Sequence, residues 1–240
     1  MKDSVCRVFG MFLLLTLPIF TGCATWRTAA EGRFDDRETH NTSLIETDPG
    51  LKWSVQDGVG RFAGVSSDTR WKGNHIVLSV TNDNRAMIEI SGDFKIAKSQ
   101  GYQLIALWGI VAGERDTDGP LCLYFEGSNG EGQYIIQTRW MNIPATVKGE
   151  KRNVAGFGDE TQRFHKMRVV LNRTESLIAY FVDNRKVGTV KYEGEIAPIT
   201  KVQMDIETPT AGTALEILYK NLKARSAGPP YSWRETSQRR

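Results

Sequence analysis

The sequence predicts an all-β protein, a two-sheet antiparallel β-sandwich or jelly roll, and three observations carry that prediction. Short segments rich in β-branched and aromatic residues recur along the chain, and Gly, Asp, Asn or Pro bounds most of them. No window sustains the 3.6-residue apolar period of a helix, so no helices interleave with the strands. No self-similarity at about 20–50 residues is present, which argues against a propeller or a solenoid. At 240 residues, 40% hydrophobic and 25% charged, the chain is long and apolar enough for one large β domain.

In chain order, residues 53–55 lead into the turn Asp57-Gly58, and residues 60–65 form the returning strand. Residues 75–80 (HIVLSV) run into Thr81-Asn82-Asp83-Asn84. Residues 86–90 alternate and are expected to break at Gly92-Asp93. Residues 104–111, 121–126 and 133–140 follow, then 167–171, 177–182, 186–192, 202–207 and 214–219. The glycine-rich stretch 149–158 has no phosphate-loop pattern and no helix behind it, so it reads as part of a long loop, 142–162. Its Lys148, Lys151 and Arg152 suit an acidic glycan or simple solvation.

The ends carry different information. Lys2 and Arg7 precede the apolar run 8–20 (VFGMFLLLTLPIF), which has the length of a signal-peptide core and is too short to span a bilayer. Phe20-Thr21-Gly22-Cys23 then resembles the lipobox of bacterial lipoproteins, with Phe20 where that motif usually has Leu. The resemblance implies that residues 1–22 are a removable signal peptide and that an acylated Cys23 attaches the chain to a lipid membrane. Ala24, in place of the Asp of inner-membrane retention, implies the outer membrane or cell surface, facing periplasm or exterior. An ordinary secretory signal with an incidental Cys23 is the alternative. Residues 23–50 are expected to be a polar linker, 51–225 the sandwich, and 226–240 a flexible basic tail whose docking through Tyr231 and Trp233 stays open.

Charge and cysteine content narrow the chemistry. The net charge is +3, and loss of Lys2, Arg7 and Asp3 lowers it by one, leaving no basic footprint for nucleic acid. Of the three cysteines, Cys6 leaves with the signal and Cys23 carries lipid. Cys122 is then a lone thiol inside a strand, a small hydrophobe with no base beside it. His40, His75 and His165 are scattered without metal-ligand spacing, which disfavours zinc. Asp116-Thr117-Asp118-Gly119-Pro120 places oxygen ligands at calcium-loop spacing, so Asp116 and Asp118 are candidates for a structural Ca²⁺. The same residues equally make a plain turn, and otherwise no cofactor is expected.

A family resemblance emerges in residues 164–225. Phe164-His165-Lys166-Met167-Arg168-Val169-Val170, residues 177–182, and Asp183-Asn184-Arg185-Lys186-Val187-Gly188 resemble the hairpin of laminin G-like and concanavalin A-like domains. Asn184 stands where that hairpin usually has Gly, and Asn tolerates the same left-handed backbone. Leu215-Glu216-Ile217-Leu218-Tyr219-Lys220-Asn221-Leu222 and Trp53-Ser54-Val55-Gln56-Asp57-Gly58 are similar to the 3-keto-disaccharide-hydrolase-like branch of that superfamily. The resemblance implies a concanavalin A-like sandwich whose site lies on the concave sheet face.

Strand alternation selects the residues expected there. With Val202, Met204 and Ile206 inward, Gln203, Asp205 and Glu207 face outward. Tyr124 and Glu126 oppose Leu121, Leu123 and Phe125, and Gln137 and Arg139 share a face with Ile135. An open face carrying Tyr124, Glu126, Gln137, Arg139, Gln203, Asp205 and Glu207 suits a sugar, because aromatic faces stack on C–H surfaces and planar polar groups bond hydroxyls. A solvated polar face is the alternative.

Gln203-Met204-Asp205-Ile206-Glu207 also resembles the E-x-D-x-E strand of laminarinase- and lichenase-type hydrolases, which implies Asp205 and Glu207 as catalytic candidates. Retaining hydrolysis needs carboxyls about 5–5.5 Å apart, and alternate residues of a strand stand about 6.6 Å apart at the backbone. Gln203, however, occupies the nucleophile position, where an amide cannot form a glycosyl ester. The expectation is therefore a monomeric, membrane-anchored carbohydrate-binding module more than an enzyme. A concanavalin A-like hydrolase or lyase, and a structural envelope lipoprotein without small ligand, are the other readings.

Overall fold

In the computed structural model, the described residues are 25–34, 39–40, 42–46, 48–67, 72–81, 85–111, 121–137 and 151–231. The first strands are β1 (Arg27–Glu31), β2 (Arg33–Phe34), β3 (Thr39–His40), β4 (Thr42–Glu46), β5 (Leu51–Gln56) and β6 (Val59–Val65). The middle of the chain forms β7 (Lys72–Ser79), β8 (Arg85–Ser99), β9 (Tyr102–Val111), β10 (Leu121–Ser128), β11 (Glu131–Gln137) and β12 (Lys151–Asp159). The last are β13 (His165–Asn172), β14 (Leu177–Val182), β15 (Arg185–Lys191), β16 (Ile199–Thr208) and β17 (Ala214–Pro230). The described residues contain no helix.

These strands make two large antiparallel sheets. The first runs β15-β14-β13-β8-β17-β6-β5, with β1 also paired to β17, and the second runs β12-β11-β10-β9-β16-β7-β4. Non-consecutive neighbours such as β8 beside β17 and β9 beside β16 are the crossovers of a jelly roll. The core fills the space between the sheets. Ile88, Ile90, Phe94 and Ile96 of β8 and Val169 and Leu171 of β13 face Leu107, Leu123, Phe125, Tyr134 and Met204 of the second sheet. Phe94 bridges the layers, its ring centroid 6.0 Å from Phe125 and 6.4 Å from Tyr134.

The turns behave as their residues require. Asp57 and Gly58 both have positive φ (52° and 74°), as do Asp183 and Asn184 (49° and 64°), the left-handed pair of a two-residue hairpin loop. Asn184 thus supplies the conformation expected of it.

Four expectations need revision. Gly92-Asp93 does not break a strand, because β8 runs continuously through both residues. Gly92 shares the inward face with Ile90 and Phe94, and a Cβ there would stand 2.2 Å from Met204 Sδ across the sandwich. This glycine permits close approach of the layers. The expected loop 142–162 contains strand β12, paired with β11 through register shifts that weaken any alternation signal. The residues expected as a linker contribute β1 and β4 to the sheets, so the sandwich reaches N-terminal of residue 51. Beyond residue 225, β17 continues to Pro230, pairing with β8, and the Arg173 guanidinium lies 5.3 Å from the Tyr231 ring centroid. Cys23, Asp116, Asp118 and Trp233 lie outside the described residues.

Candidate functional site

The second sheet presents an outer face built by strict alternation. In β16, Val202, Met204 and Ile206 enter the core, so Lys201, Gln203, Asp205 and Glu207 point the other way. The same parity puts His75 outward from β7, Leu104, Ala106 and Trp108 from β9, Cys122, Tyr124 and Glu126 from β10, and Ile135 from β11.

Register then aligns these residues in cross-strand rows. The central row is Ile45–His75–Asp205–Ala106–Tyr124–Ile135. Beside it run Val77–Gln203–Trp108–Cys122–Gln137 and, on the other flank, Gly73–Glu207–Leu104–Glu126–Gln133. The face therefore divides in two. Over β9, β10 and β11, Ala106, Cys122, Tyr124 and Ile135 form an apolar cluster against which Leu104 and Trp108 pack. Over β7 and β16 lies a polar cluster of His75, Gln203, Asp205 and Glu207.

In that polar cluster His75 Nδ1 stands 2.8 Å from Asp205 Oδ1 and 3.2 Å from Gln203 Nε2. His75, Asp205 and Glu207 each bring a ligand-capable atom within 4.8 Å of the others. Burial, then the nearby Asp205 carboxylate, push the Glu207 carboxyl up to about 8. Asp205 Oδ2 and Gln203 Oε1 are buried without a hydrogen-bond partner among the described residues. Below the cluster, Asn74 points inward. Its Oδ1 accepts from the Asp48 amide, its Nδ2 donates to the Leu51 carbonyl, and β7 is thereby tied to the turn before β5 next to His75.

The expected binding residues divide accordingly. Gln203 and Asp205 occupy the outer face, as alternation requires, but they are 0% and 1% exposed, and Tyr124 is 3% exposed. An open surface was expected for all three. Asp205 and Gln203 sit on a central strand, with His75 and Val77 on one side and Ala106 and Trp108 on the other. Glu126 and Glu207 remain partly exposed, together with Tyr102, Leu104, Trp108 and Gln133. Glu126 accepts from Gln133 Nε2 at 3.2 Å; burial first, and then Glu126, raise the Tyr102 phenol. Gln137 pairs by register with Cys122, while Arg139 lies outside the described residues. His75, expected to be an isolated histidine, is the residue that sequence reasoning missed. Its signal was the alternation of His75 and Val77 against Ile76 and Leu78.

The outer face of the first sheet is different in kind. Glu89 accepts from Arg168 at 2.9 Å and from Arg225 at 2.6 Å, and Arg168 stacks 3.8 Å above the Phe181 ring. Every charge in that group has a partner. At one end of the sandwich His165 lies between Glu160 (2.7 Å) and Asp183 (2.9 Å), and Arg163 also holds Asp183. Burial opposes the His165 proton, but the bonds to Glu160 and Asp183 outweigh it and raise the pKa. This group ties the β14–β15 turn and the residues after β12 to the start of β13.

Solved structures of similar architecture share this two-sheet arrangement. An endo-1,3-β-glucanase from Streptomyces sioyaensis matches at TM-score 0.58 and 12% identity over 85% of this chain and 97% of that one. A sialidase matches at TM-score 0.55 and 14% identity over 83% of this chain. The match spans only 19% of the sialidase. The CBM2 module of the evolved Dit of Lactobacillus casei BL23 phage J-1 matches at TM-score 0.53 and 10% identity, over 86% of this chain and all of that one. The fold is a concanavalin A-like jelly roll. At these identities the likeness concerns the fold. No family model matches the chain, and no curated protein matches it.

Proposed function

We propose that the outer face of the second sheet binds carbohydrate. One observation carries this reading: on that face partly exposed Trp108 and Leu104 pack on a buried apolar cluster and are edged by partly exposed Glu126, Gln133 and Glu207, where a solvent-facing sheet normally alternates to plain polar residues. Trp108 and Leu104 offer a surface for the C–H face of a sugar ring, and the flanking carboxylates and amide offer hydroxyl partners. On the first sheet's outer face Arg168 and Arg225 are already paired to Glu89. Carbohydrate-binding and carbohydrate-cleaving proteins among the similarly folded structures support the reading.

The test is a glycan array followed by calorimetry on the best ligand. Covering about 60 Å² of Trp108 by a sugar contributes about 1.5 kcal/mol at roughly 25 cal/mol/Å², so Trp108→Ala weakens binding about tenfold. Unchanged affinity in that variant, or an array without hits, refutes the proposal. Hydrolysis or lyase chemistry is the second reading, favoured by the pairing of Asp205 with His75 beside Glu207. It predicts cleavage of a polysaccharide in a panel, lost in Asp205→Asn.

The chain is also proposed to be held at the outer membrane or cell surface through an acylated Cys23. Thr25 and Trp26 leave few residues between that cysteine and β1, so the sandwich would ride close to the lipid surface. Palmitate labelling abolished by Cys23→Ser tests the anchor separately from the binding face.

A further inference from the structure

We propose that His75, Asp205 and Glu207 form a binding site for one divalent cation of the zinc–manganese class, with Gln203 at its edge. The three side chains come from two neighbouring strands and are fixed by register: Asp205 lies directly opposite His75, and Glu207 is two residues further along the same face of β16. All three bring a ligand-capable atom within 4.8 Å of the others. A cation with bonds of about 2.0–2.2 Å spans opposite ligands up to about 4.4 Å apart, so modest side-chain adjustment closes the shell around it. In that state each of His75 and Asp205 turns onto the ion in place of their direct 2.8 Å contact.

Two further observations point to a ligand here. Gln203 is fully buried, and its side chain reaches this cluster through its Nε2, 3.2 Å from His75 Nδ1, while its Oε1 meets no partner among the described residues. Asp205, 1% exposed, likewise leaves Oδ2 without a donor. Buried oxygens left unsatisfied in this way are costly. A dication held by the three side chains would give Asp205 Oδ2 the partner it lacks. The donor set selects its kind. Imidazole nitrogen with carboxylate oxygen suits zinc, manganese or ferrous iron, whereas calcium and magnesium prefer shells made of oxygen. Glu207 is the partly exposed member and marks the side from which an ion enters.

The inference shares only Glu207 with the carbohydrate reading and uses none of the aromatic cluster. To test it, the full chain is stripped with chelator and titrated with zinc chloride and with manganese chloride by calorimetry. Bound ions are counted by mass spectrometry after dialysis. One ion per chain is expected. Loss of an outer-shell partner alone weakens metal sites about 10–100-fold, so Glu207→Gln and His75→Gln should each weaken the Kd by about 100-fold or more. Arg61→Ala, at an exposed position on β6 of the other sheet, should leave it unchanged. Glu207→Gln is near-isosteric at a partly exposed position and guards against a folding defect in the His75 variant. No retained ion in the wild-type chain, or retention with unchanged Kd in both variants, overturns the proposal.

Discussion

Replacing Gly92 with alanine tests whether this glycine is a close-approach residue or merely a flexible one. An added Cβ would lie 2.2 Å from Met204 Sδ and 3.2 Å from its Cγ, well inside the about 3.5–4.0 Å of ordinary contact. Met204 is 1% exposed, and Leu222 Cδ1 stands 3.4 Å from the same point, so Met204 must leave its rotamer in a filled core. Overpacking of this kind costs about 1–3 kcal/mol. Met204→Ala alone opens a cavity and costs about 2–5 kcal/mol. In the double variant the new methyl enters space that Met204 has vacated, so the Gly92→Ala penalty disappears. There alanine regains the roughly 0.5–1 kcal/mol that glycine forfeits within a strand. Urea titrations of all four proteins should therefore show shifted midpoints, unchanged slopes, and a favourable coupling of about 2 kcal/mol. Additivity within about 0.5 kcal/mol, or a Gly92→Ala protein as stable as the parent, would refute the reasoning. Met204 lies between Gln203 and Asp205 on β16, so the same variant also reports how firmly the sandwich holds the polar cluster.

The group around His165 makes stability depend on pH. Its folded pKa is raised above 6.5, so its contribution is complete below pH 6.5 and is lost as the pH rises through the folded value; Asp183, depressed below 3.8, contributes above that pH and is lost as the pH falls through its own. Thermal melts from pH 6 to 9 should show stability falling in the parent and a flatter profile in His165→Gln; equal slopes would contradict this. Asp48 accepts from the Ser66 and Ser67 hydroxyls at 2.7 Å and from the Gly50 amide at 2.9 Å, so Asp48→Ala should cost about 2–3 kcal/mol in urea. A midpoint within error of the parent would show those bonds to be replaceable by water. Cys122, fully buried, should resist a thiol reagent until the protein unfolds, and rapid labelling of the native state would place it at an opening.

Much of the fold was legible because alternation is a local property. Residues 202–207 and 121–126 show by themselves which side chains face inward, and the structure keeps both assignments. Asp57-Gly58 and Asp183-Asn184 declare their turns because few residues accept positive φ at low cost. Gly92 was misread because its reason, Met204, lies on the opposite sheet. The strand β12 was missed because its register shifts against β11 remove the period that marks a strand.

The site shows the same division. The sequence by itself determined that Gln203, Asp205 and Glu207 share one face of a strand and that Tyr124 and Glu126 share one face of another, because a period of two needs no partner to be expressed. Only the tertiary structure decided that β7 lies beside β16 with His75 opposite Asp205, and that Gln203 and Asp205 are buried. Strand order and register are set by core packing between segments more than a hundred residues apart. Side-chain burial follows from that assembly, and no single segment contains it.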